Sequence, residues 1–568
     1  MHSGESARVQ RGFALIALLA LAALISAFLI ASALNFTSAG ISNEREDRSM
    51  NALRKAKAAL IAYAASEQWQ LYKGQPTDQP GGLPCPDTDD DGASEGLCSN
   101  ALSRVGRLPW ASIGADDLRD ASGERLWYAV SSNFRRLSGT TIINSDTQGL
   151  LIVTGAAPAS NVVAVVIAPG NALSGQDRIA QHNDPAAYLE GVTASTPDYG
   201  FNTVALPSGT ANDRLLVITQ AELMAAVEPV VAARIERDVK PLLADYFTKW
   251  SAYPFAVPFV APPAGQSAYQ GISNTFTGLL PVTTTSVSWS NPTVTQVPPG
   301  MGSPVVSNQS CSINSSPLQA VCSFDFSGGD DDRPDIKLAI TLQNANMAFA
   351  DVPSPLQDPW NVTIKDGSNS TVSGTGSNPY GPWSTFGTLG ANSGPLPTVS
   401  LAANPPLGTV TLTYTGRIRN ANTMQHAATI IVPLPAPSYL PRLIGPSSMD
   451  WFISNQWYRQ TYYAISTGLA PGGVGSCNPV PAPPTAPITP SCLMVKNLPP
   501  SYATSNDKRA ILVFAGRELN GLTPRPANLA NYLEGANLTA ANGTTPFVYE
   551  HRAGVPTTIN DRVVIVSP

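Results

Sequence analysis

Uncharged and mostly apolar residues run without a break from Phe13 to Leu34, twenty-two positions in all. As a helix they would span about 33 Å, enough for the hydrocarbon core of a bilayer. The helical pattern then continues. Leu53, Ala56, Leu60, Ile61 and Ala64 recur at helical spacing, with Arg54, Lys55 and Lys57 mostly off that face. Pro76, Pro80 and the Gly81-Gly82 pair end it. A second helix is expected where Leu223, Val227, Val231, Ile235, Val239, Leu242 and Tyr246 repeat, opened by a capping box of Thr219 and Glu222. Pro229 and Pro241 should kink it. Strand patterns differ in kind: 150–154 and 162–168 are short apolar runs, whereas 336–341 and 409–414 alternate.

An internal repeat organises what lies between. The block Gly170-Asn171-Ala172-Leu173-Ser174-Gly175 is echoed by Gly516-Arg517-Glu518-Leu519-Asn520-Gly521, and Tyr188-Leu189-Glu190-Gly191 by Tyr532-Leu533-Glu534-Gly535. Asn212-Asp213-Arg214-Leu215 is echoed by Asn560-Asp561-Arg562-Val563, and Trp127-Tyr128-Ala129-Val130-Ser131 by Tyr462-Tyr463-Ala464-Ile465-Ser466. The blocks keep their order and nearly their spacing. Two copies of one head module follow, near 80–220 and 446–568, each preceded by a helix. Two copies do not make a solenoid, which needs about three or more.

Composition changes this picture in two places. From 254 to 441 Ser, Thr, Asn, Gly and Pro dominate, which predicts an antiparallel β-sandwich inserted into the second copy, with 367–379 as an exposed loop. Across the 568 residues only 13% are charged, with 51 prolines, 45 glycines and a net charge of −6. Basic residues are scattered, so nothing supports nucleic-acid binding. The six cysteines fall in three local pairs, Cys85 with Cys98, Cys311 with Cys322 and Cys477 with Cys492. Even number and short spacing suit disulfides in an oxidising compartment, other pairings remaining open.

The apolar run opens as Arg11-Gly12-Phe13-Ala14-Leu15-Ile16, after a short leader that also carries Arg8. This stretch resembles the type IV prepilins and pseudopilins. The resemblance implies cleavage between Gly12 and Phe13 by a prepilin peptidase, methylation of the new terminus, and a retained helix that first anchors the subunit and then packs among sister subunits. The charge flanks put the N-terminus in the cytoplasm and the bulk outside, as a single-pass protein of a bacterial inner membrane. Two other arrangements compete: an uncleaved anchor, and a secretory signal cut after Ala31-Ser32-Ala33. Most pilins carry a glutamate at the fifth mature position, where it neutralises a neighbour's terminal amine; here that position is Ala17. The K-type minor pseudopilin of type II secretion shows the same absence, which suits a filament tip. The series from Gly82-Leu83-Pro84-Cys85 to Gly123-Glu124-Arg125-Leu126-Trp127 is similar to the head of a group of bacterial pilin-like proteins, over roughly the first quarter of the chain.

One loop has metal-binding chemistry. In Asp87-Thr88-Asp89-Asp90-Asp91-Gly92, alternate carboxylates at Asp87, Asp89 and Asp91 can converge on calcium, with Glu95 as an outer ligand. The twelfth loop position is Cys98, so the full EF-hand pattern fails; any calcium would be structural. The aromatic residues Trp451, Phe452, Trp457, Tyr458, Tyr462 and Tyr463 are expected in the core. Enzymatic signatures are absent: there is no GxSxG elbow, HExxH helix or phosphate loop. The expected fold is α+β: leader 1–12, transmembrane helix 13–34, helix continuation 35–75, head module 76–220, second helix 221–253, β-sandwich 254–441 and second head module 442–568. The expected role is a minor pilin-like or pseudopilin-like subunit, with other such subunits as partners. The alternative is a membrane-anchored, non-polymerising binding or adhesion protein on the outer side.

Overall fold

The computed structural model describes residues 6–66, most of 71–259, 269–283, the strands alone between 293 and 433, 437–440 and most of 450–567. Along the first helix, side chains are described for 20–30, 32 and 40–66. The fold is α+β with several sheets. The chain forms two compact units. One comprises Met1–Thr77, Gly81–Thr141 and Thr147–Ala226; the other comprises Asp78–Pro80, Ile142–Asp146 and Val227–Pro568.

In the first unit, α1 (Ser6–Ala65) is a continuous helix of 60 residues. Its C-terminal part buries Leu53, Ala56, Leu60 and Ala64 of the face the spacing predicts, together with Ala52, while Ile61 is only half-buried. Lys57 reaches the sheet, its Nζ donating to the Val217 carbonyl at 2.8 Å and pairing with Glu222 at 2.7 Å. The sheet contains β1 (Val105–Arg107), β2 (Trp127–Val130), β3 (Leu151–Gly155), β4 (Ala159–Ala168), β5 (Gly200–Thr203) and β6 (Arg214–Thr219). The order is β1-β2-β4-β3-β5, and β6 also pairs with β4; only the β3–β5 pair is parallel. The run from Val162 to Ala168 is buried throughout because it is flanked by strands on both edges and packed on both faces.

The Thr219–Glu222 capping box forms as expected: the Thr219 amide donates to Glu222 at 3.0 Å and the Glu222 amide to Thr219 Oγ1 at 3.3 Å. It opens α2 (Gln220–Arg234), which leads through a π turn at Ile235–Val239 into α3 (Lys240–Trp250). Pro229 lies inside α2 and interrupts it no further. Pro241 cannot donate to the Arg237 carbonyl, and the chain meets it with the wider π turn immediately before.

The second unit's head sheet has the antiparallel order β7 (Thr277–Leu279), β8 (Thr461–Ile465), β9 (Ala510–Phe514), β10 (Arg562–Ser567). Between β7 and β8 in sequence lie two further antiparallel sheets. One orders Thr293–Val297, Lys337–Gln343, Thr409–Thr415 and Thr398–Leu401; the other orders Val305–Ser315, Leu318–Ser327, His426–Pro433, Trp360–Lys365 and Thr371–Gly376. The inserted region is narrower than composition suggested. Val257 bridges Leu279 and Val282 bridges Leu440, so 254–259, 269–283 and 438–440 are part of the head. Thr371–Gly376, inside the stretch expected as a loop, pairs with Trp360–Lys365. The aromatic residues from Trp451 to Tyr463 are core, none more than 5% exposed.

The two head sheets share one register. Arg107 stands opposite Trp127, and Leu279 opposite Tyr462. Trp127 stands opposite Ile167, and Tyr462 opposite Val513. Ile167 stands opposite Leu215, and Val513 opposite Val563. The sequence echo gives the same pairing, residue for residue. The correspondence also reaches a segment with almost no echo. Leu83 N donates to Phe134 O at 2.8 Å, as Tyr253 N does to Leu469 O at 2.8 Å. Tyr128 Oη donates to the Pro84 carbonyl at 3.2 Å, as Tyr463 Oη does to Pro254 at 3.2 Å. Gly106 and Gly278 occupy the same place for one reason: a Cβ there would lie 2.6 Å from Asp87 O in the first sheet and 2.1 Å from Val257 O in the second.

Candidate functional site

Three groups of residues carry chemistry. The first is α1. Its Leu21, Leu24, Ile25, Phe28, Leu29 and Ile30 are 52–71% exposed. Six such side chains leave roughly 10 kcal/mol of burial unrealised, at about 1.5–3 kcal/mol each. The helix passes through Gly12, Phe13, Ala17 and Leu34, whose side chains lie outside the described residues. Among the described residues no helix is long and apolar enough to cross a membrane.

The second is the acidic loop. Asp87, Asp89 and Glu95 bring ligand oxygens within 4.8 Å of one another. Asp91 does not join them, because its Oδ1 accepts from the Ala93 amide. Asp87 is buried and its two oxygens accept from the amides of Asp90 and Gly92, each at 2.7 Å. Burial raises its pKa; the two amide bonds oppose that rise, and the neighbouring Asp91 and Asp90 add to it. Glu95 Oε1 accepts from the amide and hydroxyl of Thr88. Asp90 pairs with Arg107 at 2.9 Å and Arg125 at 2.8 Å. The loop is therefore closed by its own amides and two guanidinium groups, and the carboxylate trio runs from buried Asp87 through half-buried Glu95 to exposed Asp89. The Cys85–Cys98 disulfide brackets it. Cys477–Cys492 is also formed. Cys311 and Cys322 stand opposite each other in register, their side chains outside the described residues.

The third occurs once in each unit. The Glu190 amide donates to Asp213 Oδ2 at 2.6 Å, and the Asn212 amide to Glu190 Oε2 at 3.0 Å. In the other unit the Glu534 amide donates to Asp561 Oδ2 at 3.1 Å, and the Asn560 amide to Glu534 Oε2 at 3.2 Å. Asn212 Nδ2 donates to the Asn171 carbonyl, as Asn560 Nδ2 does to that of Arg517. Arg178 stacks on Tyr188 at 4.7 Å and donates to the Gly170 carbonyl; Arg525 stacks on Tyr532 at 4.4 Å and donates to that of Gly516. The two carboxyl groups of each clasp lie close enough to couple, while Asp213 Oδ1 and Asp561 Oδ1 are buried and accept no hydrogen bond. Burial, then the charge of Glu190, pushes Asp213 up to about 8. Burial and Glu534 raise Asp561 in the same direction. Each clasp thus favours a protonated aspartic acid beside a second acid, and its amide bonds tie a loop to the start of the last strand. The sequence showed the repeated blocks but not their chemistry: YLEG and ND lie more than twenty positions apart, and nothing local says that their acids meet.

Next to the first clasp lies a polar cavity of about 240 Å³, lined by α1 residues, by Asp120 and Ser122, and by Gly170, Asn171, Asn212 and Arg214. No family model, no curated protein and no solved structure matches this chain.

Proposed function

We propose that this chain is a minor pilin-like or pseudopilin-like subunit, acting at or near the tip of a type IV pilus or a type II secretion pseudopilus. The observation that carries the proposal is the division of labour along α1. One stretch buries Leu53, Ala56 and Leu60 against a sheet, while an earlier stretch of the same unbroken helix leaves Leu24, Phe28 and Ile30 exposed. A rod of that kind needs lipid first and sister helices afterwards. In this reading Gly12 is the last leader residue and Phe13 the mature N-terminus. The two heads, with the same register, are pilin-like modules, and the inserted sheets are the contact surface at the tip. The body would stand outside the bacterial inner membrane, where the disulfides are stable. The role is mechanical rather than catalytic. Calcium on Asp87, Asp89 and Glu95 would add rigidity to a loop already closed by its own hydrogen bonds.

Mass spectrometry of the N-terminal peptide from membranes tests the proposal. N-methylated Phe13 is the expected result. A terminus at Leu34, after the small residues Ala31-Ser32-Ala33, would overturn it, and an intact Met1 would leave the non-polymerising anchored protein in its place.

A further inference from the structure

The cavity beside the first clasp has a counterpart in the second unit, and there it is filled. Register places Asn171 where the second unit has Arg517, and Arg214 where it has Arg562. Arg517 donates to Glu228 of α2 through its amide at 2.6 Å and through its guanidinium at 2.8 Å. Glu228 is 1% exposed and also accepts from Ser145. Burial raises its pKa, and the nearby Arg517 and Arg562 oppose that. In the first unit the helix again supplies a glutamate, Glu46, which pairs with Arg214 at 2.9 Å. Asn171 carries no guanidinium to join it. What remains is a cavity of about 240 Å³ holding one carboxylate from the helix, Asp120 from the head, and the Asn212 side chain. The Oδ1 of Asn212 is buried and accepts no hydrogen bond, and the same holds for that of Asn560 beside Arg517, so the two cradles differ in the residue at 171 and 517 rather than in this oxygen. The exposed Arg45 lines the same cavity from α1.

We infer that this cavity binds a guanidinium group from outside the chain, in the position that Arg517 occupies in the other unit. A guanidinium is planar, carries five donors and pairs with a carboxylate along two parallel bonds, so it suits Glu46 as Arg517 suits Glu228. The inference does not depend on filament assembly. The source is either an arginine side chain of a partner protein or a free arginine-like metabolite.

Thermal unfolding of the full chain in detergent, at constant ionic strength, tests it with four probes at low millimolar concentration: N-acetyl-arginine amide, free L-arginine, N-acetyl-lysine amide and inorganic phosphate. A saturable rise of about 2 °C with an arginine probe is expected, and less than half of it with lysine. A larger response to the blocked amide assigns the site to a protein partner, and a larger response to free arginine to a metabolite. Asn171→Arg and Glu46→Gln should each abolish the response, and Arg45→Ala should increase it by removing a competing cation. Without any probe, Asn171→Arg should slow hydrogen exchange in β4 relative to wild type, and Asn171→Met should not. An equal response to lysine or phosphate, a response that survives in Asn171→Arg or in Glu46→Gln, or equal exchange in the Arg and Met variants overturns the inference.

Discussion

Cys85 and Phe255 hold the same place in the two head sheets, one residue after the proline that accepts a tyrosine hydroxyl bond. Cys85 is tied covalently to Cys98, whereas Phe255 is buried against Phe276. The second unit spends its own disulfide elsewhere, between Cys477 and Cys492 in the stretch joining β8 to β9. Beside the clasp the contrast runs the other way. The second unit seals its cradle with Arg517 and Glu228, and the first leaves a cavity. What stays constant is the register, the glycine at 106 and 278, and the acid–arginine–tyrosine clasp. Topology therefore rests on a few close approaches and one buried polar network, and the devices around them are interchangeable.

The largest way to break this comparison is Arg517→Ala. It removes the guanidinium that bonds buried Glu228 and leaves Arg562 as the nearby cation, a loss of up to about 3–5 kcal/mol. The matching Asn171→Ala removes a residue beside an open cavity and should cost less than about 1 kcal/mol. Hydrogen exchange of β9 and β4 peptides reads each unit separately, which matters because two units need not unfold as one. Equal losses in the two units would show that the cradles are not counterparts. Next is the pair Cys85→Ser with Cys98→Ser, expected to destabilise the first unit by about 2–4 kcal/mol and to leave β9 exchange unchanged.

The clasp offers a smaller, pH-dependent test. Asp213 has an ordinary unfolded pKa near 3.8 and a folded value of about 8. The folded state thus holds its proton more tightly, so this residue's favourable contribution is complete below about pH 4 and is lost as pH rises toward 8. Asp213→Asn keeps an oxygen for the Glu190 amide and removes the titration. The variant should flatten the pH dependence of β6 exchange between pH 4 and 8, and gain about 2 kcal/mol over wild type at pH 8. An unchanged slope would mean that Asp213 does not hold its proton more tightly in the folded state.

How much of this was legible in the sequence varies with what fixes each residue. The clasp blocks echo because their side chains do the bonding: Tyr, Glu, Asn and Asp cannot be exchanged without losing a partner. The segments 83–87 and 253–257 share only a proline, because backbone amides and carbonyls hold them and any residue supplies those. The insert's edge was misplaced for a related reason. Residues 254–283 have the composition of the insert, yet Gly278 and Leu279 pair with β8 through backbone alone. The π turn before Pro241 was legible only as a kink, since sequence shows where a helix loses a donor but not how the chain absorbs it. In the acidic loop, alternate spacing predicts three converging carboxylates, with Glu95 as an outer ligand. The positive φ of Asp90 and Gly92 turns the chain so that Asp91 caps an amide instead.

That loop supplies the smallest expected effect, and it tests whether the first unit needs a device the second does without. Its amide bonds to Asp87 and its ion pairs to Arg107 and Arg125 already close it. Calcium would therefore raise the unfolding temperature of the first unit by only about 1 °C, with chelator reversing the rise and magnesium failing to reproduce it. Asp89→Asn should remove the response and leave the metal-free temperature unchanged, because Asp89 is exposed and supplies a charge rather than a bond that closes the loop. Asp91→Asn should leave the calcium response intact. A response carried by Asp91 rather than Asp89 would mean the loop rearranges on binding. No response in wild type would reduce Asp87, Asp89 and Glu95 to a solvated turn, held at one end by Cys85–Cys98 and at the other by its arginines.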